Sequence, residues 1–129
     1  MVSLIDTNII IRFLVKEDND LYRRSINIIE QIDQGTLQVE ILSEVIMEIL
    51  FIMTKYYKVP LSHVAEDIKV LLLMDGVVNQ DKYILFDALN MMLEKKIDYV
   101  DALICTKTKL QGYDWISFDA DLVRHCPRR

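Results

Sequence analysis

The sequence predicts an α/β fold built on a central, mainly parallel sheet. Three observations carry that expectation. Short apolar or alternating runs ("VSLI", "LQVEIL", "VV", "WISF") recur along the 129 residues, with stretches of helical spacing between them. Only three Gly and two Pro occur, so connections are short and helices plentiful. Acidic residues fall repeatedly at strand ends or in early helical turns, and folds of this class place their sites beyond the carboxyl ends of the strands.

The first strand is "VSLI" (2–5), β-branched, expected to be buried and ending at Asp6. Thr7 or Asn8 then opens a helix through about Val15. From Asp20, positions Leu21, Ser25, Ile28, Ile29 and Ile32 keep helical spacing until Gly35 stops the run. "LQVEIL" (37–42) alternates as a second strand, and Ser43 follows as N-cap of a strongly apolar helix to about Tyr57. "KVPLS" breaks that helix, and Ser62 opens the next, to about Met74. Asp75-Gly76 turns the chain into "VV" (77–78), a brief strand. A helix from about Asp81 to Lys96 carries Ile84, Ala88, Met91 and Met92 on one side, and another is capped at Asp98 and closed at Gly112. "DWISF" (114–118) reads as a strand and "DADLVRH" as a last short helix. No repeat, linker or low-complexity tract intervenes, so residues 1–129 are expected to form one domain.

Composition narrows the function classes. A hydrophobic fraction of 52% without a run near ~20 apolar residues fits a soluble globular chain and excludes a spanning helix. "MVSLIDTN" has neither a basic n-region nor a cleavage site. Cys105 and Cys126 are too few for a disulfide framework or a zinc site, and the expected setting is a reducing cytoplasm. The net charge of −5 argues at first against a nucleic-acid partner, which usually meets a basic surface.

The acids decide how that charge is read. Asp6 interrupts "LIDTNIII" and is expected to be largely desolvated by its apolar neighbours, which is costly without a partner. It either caps the next helix or belongs to a site. Glu44 and Glu48 stand one turn apart on one helix face. The helix dipole accounts for Glu44, whereas Glu48 lies past the turn where that effect fades and asks for a partner. Asp98 fits an N-cap and Asp101 the N3 position, each structural when taken alone. Asp119 suits the cap of the last helix, and Asp121 reads as a solvated surface acid. A doubly wound sheet gathers such positions at one edge. Four clustered carboxylates repel and raise one another's pKa, and a divalent cation or two removes the conflict. Oxygen-only ligation suits Mg²⁺ or Mn²⁺.

The order "LIDTN", "SEVIMEILFIMTKYYKV", "IDYVDALIC" and "WISFDADL" resembles the PIN domain, and in particular the VapC-like toxins of prokaryotic toxin–antitoxin pairs. The likeness covers almost the whole chain. It implies a three-layer α/β/α fold and a Mg²⁺- or Mn²⁺-dependent endoribonuclease with one or two ions. Carried over by position, the acids are Asp6, Glu48 (Glu44 one turn away is the substitute), Asp101 and Asp119, with Asp98 an accessory. Thr7, Asn8 and Ser117 match polar positions that orient such carboxylates. The implied partners are RNA, a small antitoxin covering the acidic crevice, and a second copy in a homodimer. With the four site acids set aside, the 15 basic residues nearly balance the remainder, so a local patch suffices to hold RNA. Arg12, Arg23, Arg24, Lys107 and Lys109 are its candidates.

Competing classes are weaker. A haloacid-dehalogenase-type phosphatase wants a second Asp where Asn8 stands, and a receiver domain wants paired early acids and a late lysine. A DNA-directed nuclease of related fold, or a catalytically silent module that binds RNA or protein, are the alternatives.

Overall fold

The structure, a computed structural model, describes residues 1–128. It divides into two compact units, Met1–Lys82 and the residues from Tyr83 onward. It is a mixed α/β chain, mostly helical, with a small parallel sheet. No helix among the described residues is long and apolar enough to cross a membrane.

In the first unit, β1 (Ser3–Leu4) runs parallel to β2 (Val39–Glu40), in the register Ser3 to Val39 and Leu4 to Glu40. α1 (Thr7–Val15) and α2 (Asp20–Gln34) form the crossover that a parallel pair requires. Asn19 caps α2 by accepting from the Tyr22 amide at 2.9 Å, and Gly35 closes it in the left-handed conformation at φ 80°. Val77 adds a single parallel bridge to Val39, so "VV" supplies one rung and not a strand. α3 (Ser43–Phe51) continues into a π-helical stretch, Ile52–Tyr56. There the Thr54 hydroxyl donates to the Leu50 carbonyl at 2.6 Å. Leu42, not Ser43, takes the N-cap position of α3, without a side-chain cap. α4 (Leu61–Leu72) completes the unit, and Ile10, Ile46, Ile49, Ile68 and Leu72 are fully buried.

Asn79 ties the segment after Val77 to the segment after β2. Its Oδ1 accepts from the Ile41 amide at 2.8 Å, and its Nδ2 donates to the Ile41 carbonyl at 2.7 Å. The side chain therefore acts as a further sheet rung just ahead of α3, and it is buried. Asn79→Ala strands both backbone groups of Ile41 and costs about 2 kcal/mol. Urea denaturation of the variant checks this, and an unchanged midpoint refutes it.

The second unit holds α5 from Tyr83 on (the helix runs Lys82–Lys95), α6 (Tyr99–Gln111) and α7 (Ala120–His125). α6 packs on α7, and Cys105, Trp115, Leu122 and Cys126 form its apolar cluster, with Met91 and Ile104 against it. Cys105 and Cys126, too few for a disulfide framework, nonetheless pair in a single disulfide. The expected strand 114–118 does not form. Trp115 is buried there, but Ile116 and Phe118 are exposed at 97% and 106%. The unit contains no other strand among its described residues, and a lone extended segment has no ladder to join.

Candidate metal centre

Asp6 directly follows β1 and takes the N-cap position of α1, with φ −82° and ψ 149°, yet its carboxylate makes no cap bond. It is exposed between buried Ile5 and buried Thr7, which corrects the expectation of desolvation. Backbone alternation explains this: the adjacent Ile5 and Thr7 turn inward while the carboxylate faces out. Glu44 and Glu48 lie exposed on α3, so Glu48 has water in place of the partner it was expected to need. Glu48 borders a shallow apolar cavity of about 370 Å³ with Met47, Phe51 and Ile52. No cluster of three metal-type ligands forms within this unit among the described residues.

The second unit gathers its acids. Asp101 stands in the first turn of α6, and Asp119 caps α7. One carboxylate oxygen each from Asp101, Asp119 and Asp121 lies within 4.8 Å of the others. Local hydrogen bonds set this arrangement. The Asp119 amide donates to Ser117 Oγ at 2.8 Å, and Asp119 Oδ1 accepts from the Asp121 amide at 2.8 Å. Ser117 thus binds the backbone of Asp119 and not its carboxylate. Asp98 takes the N-cap position of α6 but makes no side-chain cap bond.

Asp121 belongs to the cluster although its place in "SFDADL" reads as a solvated acid. The signal lies in the spacing: an N-cap aspartate binds the amide two residues on, which brings an acid at that position alongside. Partial burial holds the Asp101 carboxyl above its ordinary range, and the charges of Asp119, Asp98 and Asp121 add to the rise in that order. Such a group gains by taking a proton or a cation. The donors are all carboxylate oxygens, the set that suits a hard divalent ion such as Mg²⁺ or Mn²⁺.

Of the basic candidates, Arg12 and Arg24 border one cleft of about 240 Å³ with Asn8. Arg23 is engaged with Asp18 at 2.8 Å, an exposed pair that is cheap to break. Lys107 and Lys109 are exposed on α6.

No curated protein matches the chain significantly. The model of the PIN domain matches residues 3–126, a span that includes Asp6, Glu48, Asp101, Asp119 and Asp121. With that match over nearly all of its length, the chain belongs to the PIN domain family.

Proposed function

We propose that this PIN domain is an Mg²⁺- or Mn²⁺-dependent endoribonuclease and the toxin of a toxin–antitoxin pair. The family consists mostly of metal-dependent nucleases. The observation that carries the reading is the carboxylate cluster of Asp101, Asp119 and Asp121, whose donors fit such an ion. In this reading residues 1–129 act as one three-layer α/β/α domain, and Asp6 and Glu48 are further candidate site acids. A bound divalent cation lowers the pKa of water and offsets charge on the phosphodiester. The chain's own residues do the rest. Asp101 and Asp119 would hold one or two ions, with Asp6 and Glu48 as further candidate ligands; Ser117, Thr7 and Asn8 would orient carboxylates, and Arg12, Arg24, Lys107 and Lys109 would meet phosphates. A small antitoxin and a second copy are the proposed protein partners, in the cytoplasm. The exposed apolar rim of α3 at Met47 and Phe51, beside Glu48, supports a protein partner there.

The test is cleavage of single-stranded RNA and DNA with Mg²⁺, by the protein and by Asp6→Asn. RNA is expected to be cut, the variant to be at least ~100-fold slower, and chelation to stop the reaction. RNA bound by both proteins and cut by neither indicates the silent binding module. Cleavage of DNA alone indicates the other alternative.

A further inference from the structure

The disulfide lies in the same short segment as the acids. Cys105 is one helical turn beyond Asp101 on α6, and Cys126 follows α7, whose other end carries Asp119 and Asp121. The bridge, with Cα atoms 5.6 Å apart, therefore closes the loop that holds α7's acids against Asp101. α7 has six residues, too few to stand as a helix without tertiary support. Its other anchors are Leu122 and the bond from Trp115 Nε1 to the Cys126 carbonyl, 2.9 Å.

The two cysteines are buried, at 5% and 2% exposure, but a cavity reaches them. Both cysteines border a cavity of about 410 Å³ that Lys95, Lys109, His125 and Pro127 help to line. Two lysines favour an incoming anion and stabilise the thiolate that leaves when the S–S bond breaks.

We propose that Cys105–Cys126 is a thiol-exchange site whose basic groove admits a small anionic thiol of the glutathione class, and that opening it releases α7's acids from Asp101. In the exchange, a thiolate attacks one sulfur, the S–S bond breaks, and the other cysteine leaves as thiolate. A second thiolate resolves the mixed disulfide. Both cysteines end as thiols, reduced by two electrons with two protons taken up, and two small thiols are oxidised to one disulfide. The coupling to the acids rests on the metal-dependent reading above; the exchange chemistry does not.

The sole tryptophan reports the event, since Trp115 packs against the bridge and disulfides quench indole emission. The folded full chain is titrated with glutathione and with uncharged 2-mercaptoethanol, following emission and the mass of the mixed disulfide. Mn²⁺ affinity is then measured for the oxidised protein, the reduced protein and Cys126→Ser. Glutathione is expected to open the bridge without denaturant. Lys95→Gln/Lys109→Gln should slow glutathione about 5-fold and leave 2-mercaptoethanol unchanged, a screened two-charge effect. Mn²⁺ should bind the reduced protein and Cys126→Ser about tenfold more weakly than the oxidised protein, a coupling of ordinary allosteric size. A bridge that yields only in denaturant, or equal Mn²⁺ affinity in both redox states, overturns the proposal. Lysine-dependent exchange in a protein that binds no Mn²⁺ in either state overturns the nuclease reading and the coupling, and upholds the exchange site.

Discussion

Asp101→Asn is expected to lower RNA cleavage by about 1000-fold, some 4 kcal/mol of transition-state stabilisation, while making the metal-free protein more stable. Both effects have one cause. Asn keeps the shape of the side chain and removes the charge that Asp119, Asp98 and Asp121 oppose. Without that charge the remaining acids hold a divalent cation poorly, but the fold loses a repulsion. The sign of the pH dependence follows. The folded carboxyl sits above its ordinary value of 3.8, so the protonated group favours the folded state. That contribution is fully present below 3.8 and is lost as pH rises through the folded pKa. Above the folded pKa the metal-free wild type lacks it, and the advantage of Asp101→Asn is largest there. Mn²⁺ at about 100 times its Kd should stabilise the wild type by about 2.7 kcal/mol and the variant far less. Calorimetry against pH, with and without Mn²⁺, reads all of this. A variant that cleaves normally, or gains as much from Mn²⁺ as the wild type, refutes the role given to Asp101.

Much of this was legible in the sequence, and the failures share a cause. α2 and α6 carry both an apolar period and their own stop signals, and Gly35 and Gly112 close them as expected. Such signals are local. The alternation of "WISF" is local too, but a strand needs a neighbour, and nothing in those residues says which edge would receive it. The disulfide shows the same limit: 21 residues separate Cys105 from Cys126, and only the packing of α6 on α7 brings them together. At Asp6 the identity of the neighbours was read as its environment, whereas the direction of the side chain decides burial. Asp101 and Asp119, which lie together, stand in two of the quoted motifs. Asp121 needed the cap geometry.

Gly76→Ala should cost at least ~3 kcal/mol, the largest stability loss expected of so small a change. Gly76 is buried, its amide donating to the Ile32 carbonyl and its own carbonyl accepting from Val39, both at 2.7 Å. A Cβ there would run into the backbone carbonyls of Leu37 and Ile32 and meet Ile32 Cα at 3.0 Å. These are not the ends of flexible side chains, so relief requires the α2–β2 connection to move as a whole. Val39 would lose its register with Ser3, and β1 is the strand that delivers Asp6. Gly112→Ala is the matched control. It adds the same methyl in open space at φ +71°, where only the left-handed backbone opposes it, at about 1 kcal/mol. Denaturant midpoints of the two variants separate crowding from conformational strain. Equal losses would mean that the contact with Ile32 and Leu37 yields easily, and that this corner of the sheet does not fix the end of β1.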